Sequence, residues 1–68
     1  MEGRHKIDAQ ILQVLHDLGK ASLGEIALRL KANKTYVRQR LQVLEEEGLV
    51  ERPFRGIYRL KNSGAQGS

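Results

Sequence analysis

The stretch NKTYVRQRLQVLEEEGLVERPFRGIYRL, residues 33–60, decides how this chain folds. Asn33 is a good helix cap, because its side-chain oxygen can accept from the unpaired N–H groups of the first turn. Val37, Leu41 and Leu44 follow at spacings of four and three, which aligns them on one buried stripe. Gly48 closes the helix, so the spacing predicts a helix over residues 34–47. After it, LVER and IYRL are β-branched or aromatic pieces on either side of PFRG, whose Pro and Gly suit a turn. Pro53 falls at a strand end, where a missing N–H matters little. A hairpin is therefore predicted over residues 49–60. The helix is basic and amide-rich at its start and acidic at its end, with Glu45, Glu46 and Glu47 in succession.

Working outward toward the N-terminus, SLGE carries Ser22 and, three residues later, Glu25, the pattern of a capping box. Leu23, Ile26, Ala27 and Leu30 give the following helix, predicted over residues 23–31, its apolar face. Only KAN separates it from the helix after Asn33. Further back, Ile11, Leu15 and Leu18 mark another amphipathic helix, predicted over residues 8–18. Asp8 is read as its cap, Ile7 and Leu12 as a hydrophobic staple, and Gly19 as its end. Lys20 to Ser22 can run extended and pair with the hairpin. Residues 1–6 are expected to be a mobile arm and residues 61–68, KNSGAQGS, a disordered tail, leaving one domain over residues 7–60.

Composition narrows the function. A chain of 68 residues without cysteine has neither a disulfide framework nor a thiolate metal site. At 40% hydrophobic residues it can still close a small core. No apolar run approaches the roughly 20 residues that span a bilayer, and MEGRHKID lacks the apolar segment of a signal peptide. No membrane association is expected, and a cytoplasmic location is. The formal net charge of +4 favours an anionic partner.

Catalytic chemistry finds no support. His5 and His16 are far apart and have no cysteine beside them, which does not make a zinc site. Ser22 is explained by capping, and the glycines lack phosphate-loop spacing. No enzyme activity, no metal, no cofactor and no small-molecule ligand are expected.

Helix, short extended piece, helix, tight turn, helix, hairpin is the order these signals give. In the pieces ILQVLHDLGKASLGEIALRL, NKTYVRQRLQVLEEEGLV and RGIYRL the chain resembles the winged helix-turn-helix DNA-binding domains of bacterial and archaeal transcription regulators. The run into the short wing is most similar to small archaeal, phage-repressor-like members. The resemblance implies a mainly α fold of three helices plus a short β wing. It also implies sequence-specific binding to double-stranded DNA by a transcriptional repressor or regulator, with the third helix in the major groove.

On that reading Thr35, Arg38, Gln39, Gln42 and Glu46 fall on the outward side of the third helix, and Lys34 and Tyr36 flank its first turn. Arg38 can bond guanine and Gln39 or Gln42 adenine, while Thr35 can reach a phosphate or a thymine methyl. Asn33 begins this surface. The wing adds Arg52, Arg55 and Arg59, of which Arg55 sits beside Gly56 at the tip, suited to phosphate or a narrow minor groove. Tyr58 and Leu60 share a strand face and are assigned to the core. The acidic helix end is read as lying off the DNA.

A homodimer on a palindromic site is one expectation; a monomer, a weak dimer through the first helix and a fragment of a larger protein are all open. The rival reading from a different class is a protein-interaction module of a larger transcription or replication assembly. The cationic and amide side chains of the third helix argue for DNA over that alternative. Three aromatic residues are too few for the stacking platforms of single-strand and RNA binders.

Overall fold

The computed structural model describes residues 5–61. Along them run α1 (Lys6–Leu18), β1 (Lys20–Ser22), α2 (Leu23–Leu30), α3 (Lys34–Glu46), β2 (Val50–Phe54) and β3 (Ile57–Leu60). This is the predicted mainly α arrangement with a hairpin wing, and the extended piece at Lys20–Ser22 does pair. The sheet is antiparallel in the order β1-β3-β2. Ala21 faces Tyr58 across one seam, and Val50 faces Leu60 across the other. The register shifts between Glu51 and Phe54. Pro53 lies inside that irregularity, where the ladder does not call on an N–H.

Every element contributes to one core. Ile11 and Leu15 of α1, Ile26 of α2, and Val37, Leu41 and Leu44 of α3 are fully buried, and Val50 closes the sheet side with Ala21 and Tyr58. Each of the fully buried Ile, Leu and Val side chains stabilises the fold by roughly 1.5–3 kcal/mol relative to exposure. The three-residue turn between α2 and α3 is held by Lys31, which adopts the left-handed conformation at φ 54 and ψ 43. Its N–H donates to the Leu28 carbonyl and the next N–H, of Ala32, to the Ala27 carbonyl. This turn fixes the angle between α2 and α3 without the glycine usual at such a position.

The predicted caps need three corrections. Asp8 is not the cap residue of α1: the helix starts at Lys6, and His5 occupies the cap position without a capping bond from its own side chain. Asp8 is 1% exposed and points into the domain, because its spacing to Ile11 and Leu15 puts it on the buried stripe. The earlier start also removes the staple, since Ile7 is itself helical and packs against the core with Leu12. The capping box is half made. Ser22 accepts from the Glu25 N–H at 3.1 Å, but the Glu25 carboxylate takes Arg29 one turn on, at 2.9 Å, instead of returning to Ser22. Of the expected arm, Lys6 belongs to α1; residues 1–4 lie outside the described residues, as do residues 62–68 of the expected tail.

Candidate nucleic-acid interface

Asn33 fixes the start of α3 as the sequence predicts. Its side-chain oxygen accepts from the N–H groups of Thr35 at 2.8 Å and Tyr36 at 3.2 Å. With Val37, Leu41 and Leu44 turned inward, the helix leaves Lys34, Thr35, Arg38, Gln39 and Gln42 exposed on its other side. Among the described residues, none of these five has a carboxylate partner. Tyr36 is 40% exposed beside them. Lys34 lies against α2, its Cε 3.9 Å from where a Cβ on Gly24 would stand. A shallow apolar concavity there is lined by Ala27, Leu28 and Ala32 between Lys31 and Lys34.

Opposite α3 stands the wing. Its turn is Arg55–Gly56, and Gly56 takes φ 77, a conformation natural to glycine. The Gly56 carbonyl accepts from the Leu23 N–H at 3.3 Å, so the wing tip is tied to the first residue of α2. Arg55 is exposed at the tip and has no partner among the described residues. The other two wing arginines differ from it. Arg52 lies 3.8 Å from Glu45 of α3, and Arg59 is hydrogen-bonded to Glu51 across the β2–β3 seam. Arg59 points away from the core-facing side that Tyr58 shares with Ala21. The ten candidate residues therefore divide. Lys34, Thr35, Arg38, Gln39, Gln42 and Arg55 are presented, Asn33 is occupied as a cap, Tyr36 is partly covered, and Arg52 and Arg59 are engaged with carboxylates.

Between α3 and the wing runs an open groove of about 420 Å³, lined by Arg38, Gln42, Glu45, Glu46, Arg52 and Tyr58. Tyr58 is buried, as the strand pattern predicts, yet it also forms part of this wall. The alternating pattern of β3 carries no signal for that second role.

The pairing of Asp8 with Arg40 is absent from the sequence reading. Arg40 donates from Nε to Asp8 Oδ1 and from Nη2 to Asp8 Oδ2, both at 2.8 Å, across 32 residues of sequence. The planar fork of arginine matches a carboxylate in this geometry. The Arg40 hydrogen bond holds the Asp8 carboxyl below its ordinary value, more than burial raises it. The same bond raises the Arg40 guanidinium. A signal did exist, because each residue occupies a core-facing position of its helix with opposite charge. The pair pins the back of α3 to α1 and so sets how its outer side is aimed.

This geometry can be compared with known proteins. A family model for winged helix-turn-helix DNA-binding domains matches residues 4–51. The chain belongs to this family. Two solved winged-helix structures superpose closely. The Zalpha domain of Carassius auratus PKZ, solved in complex with Z-DNA, gives a TM-score of 0.75 at 21% identity, over 81% of this chain and 92% of that one. T. acidophilum IdeR gives 0.76 at 27% identity, over 98% of this chain but only 32% of IdeR. No curated protein matches the sequence significantly. The winged helix-turn-helix assignment agrees with the hairpin β2–β3 as a wing and makes DNA the partner class.

Proposed function

We propose that this winged helix-turn-helix domain binds double-stranded DNA sequence-specifically as a transcriptional regulator, acting as a repressor by occupying its site, in the cytoplasm and without enzymatic activity. The observation that carries this reading is the outer side of α3: two cations, two amides and a hydroxyl, all exposed and none matched to a carboxylate among the described residues. Arginine and glutamine in the first turns of such a helix can form bidentate bonds with base edges in a major groove. Lys34 and Arg55 flank them at positions suited to phosphate. A protein-docking module would present a more apolar or charge-balanced side here.

Selection from a random duplex library tests the claim, and the symmetry of the recovered motif reports whether one copy or two bind. Titration against salt gives the electrostatics. The two cations placed at phosphate, Lys34 and Arg55, are expected to give a log–log slope of about −1.8 per protomer. A slope near zero on selected and random duplexes alike would remove DNA as the partner and favour the protein-interaction module. A duplex held in the Z form belongs in the same titration, given the complex in which the Zalpha relative was solved. Preference for it over ordinary duplex would replace major-groove readout.

Helix and wing are expected to contribute differently. Gln39→Ala should cost about 1–3 kcal/mol on the selected site and little on scrambled DNA. Arg55→Ala should weaken both by similar factors and flatten the salt slope by about one unit. The reverse pattern, with Gln39→Ala uniform and Arg55→Ala selective, would make the docking wing-led.

A further inference from the structure

We propose that Glu45 keeps Arg52 out of the DNA contact, acting as a built-in substitute for a phosphate. The inference rests on the DNA-binding reading above and concerns how much of the groove between α3 and the wing the DNA backbone can use. Arg52 projects from β2 into the same groove as Arg38 and Gln42, so its position alone would make it a phosphate ligand. Its Nε instead lies 3.8 Å from Glu45 Oε2, on the last turn of α3. Glu46 lines the groove as well. A phosphate approaching Arg52 would have to displace one carboxylate while passing close to a second, and like charges at such range repel.

The three wing arginines thus form a graded set. Arg55 has no partner among the described residues, Arg52 is matched by charge at a distance too long for a hydrogen bond, and Arg59 is hydrogen-bonded to Glu51. Only the middle member can be switched by a single change on α3. Phosphate contacts add affinity without sequence information. Glu45 therefore restrains sequence-independent binding and leaves discrimination to Arg38, Gln39 and Gln42. It is a specificity-determining residue that touches no base. This also gives the acidic end of the recognition helix a task at a place where the helix dipole disfavours anions.

The test is a double-mutant cycle of the wild type, Glu45→Gln, Arg52→Ala and the double variant, each titrated with selected and scrambled duplex over a range of salt. Thermal unfolding of each variant establishes that it is folded. Glu45→Gln is expected to tighten binding to both duplexes by about fivefold at 0.15 M salt and to steepen the slope by about 0.9, the signature of one more phosphate contact. Arg52→Ala alone is expected to change little, and in the Glu45→Gln background to abolish the gain. Weaker or unchanged binding by Glu45→Gln overturns the proposal, as does a gain that survives Arg52→Ala, which would be a general charge effect. In all three cases a wild-type slope near −1.8, about −0.9 for each of its two phosphate contacts, leaves the DNA-binding reading standing. A wild type that binds neither duplex sinks both.

Discussion

Asp8→Ala is expected to destabilise the domain by about 3 kcal/mol, a large share of the roughly 3–10 kcal/mol that a chain of this size holds. Removing one member of a buried ion pair strands the other, at a cost of about 3–5 kcal/mol. The lower end applies because the Arg40 side chain keeps 17% of its surface exposed and can turn toward water. The contribution depends on pH in a definite direction. Asp8 has an ordinary value of 3.8 and is lowered in the folded state. Its stabilisation is therefore complete above the unfolded value and lost as pH falls through the folded one. Urea melts of wild type and Asp8→Ala should differ by a constant amount above about pH 5 and converge in stronger acid. A gap that is constant down to acid unfolding, or no gap at neutral pH, would show that the pair does not hold α1 to α3. Because the pair aims α3, the variant should also bind its selected duplex less well at temperatures where it remains folded.

Leu41→Ala is expected to cost about 2–5 kcal/mol, the range for truncating a buried leucine. Leu41 is fully buried on α3, the helix that packs against α1, α2 and β2. The cavity would open where these elements meet, with little freedom to collapse. A chemical-denaturation midpoint equal to that of the wild type would refute the proposed core. Leu28→Ala makes the useful contrast: Leu28 is 77% exposed on α2, and its loss should be nearly silent.

The sequence disclosed those features that depend on periodicity and on local chemistry. Val37, Leu41 and Leu44 needed only a helical repeat to be placed inward, and Asn33 and Ser22 needed only a neighbouring turn to cap. The outer side of α3 followed from the same repeat. Features that depend on two distant segments were hidden. Asp8 looks like a cap because aspartate usually is one; its true partner lies 32 residues away, and only the joint placement of both on core-facing positions betrays the pair. The wing arginines look alike in sequence. What separates Arg55 from Arg52 and Arg59 is which carboxylate lies across a groove or a strand seam, and that depends on the register of β2 with β3. Lys31 was hidden for another reason: lysine carries no signal for a left-handed backbone, so the turn chemistry had to be seen.

The strand order β1-β3-β2 has a bearing on how the chain is made. The central strand, Ile57–Leu60, comes after every other element in the sequence. A nascent chain that has cleared the ribosome as far as Phe54 already contains the sequence of all three helices and both outer strands, but not the strand that joins them into a sheet. Tyr58 and its neighbours complete the sheet late, and it is α1, the helix that β3 packs against, that waits for them. Until then the apolar faces that β3 will cover stand open to whatever in the cell greets unfinished proteins.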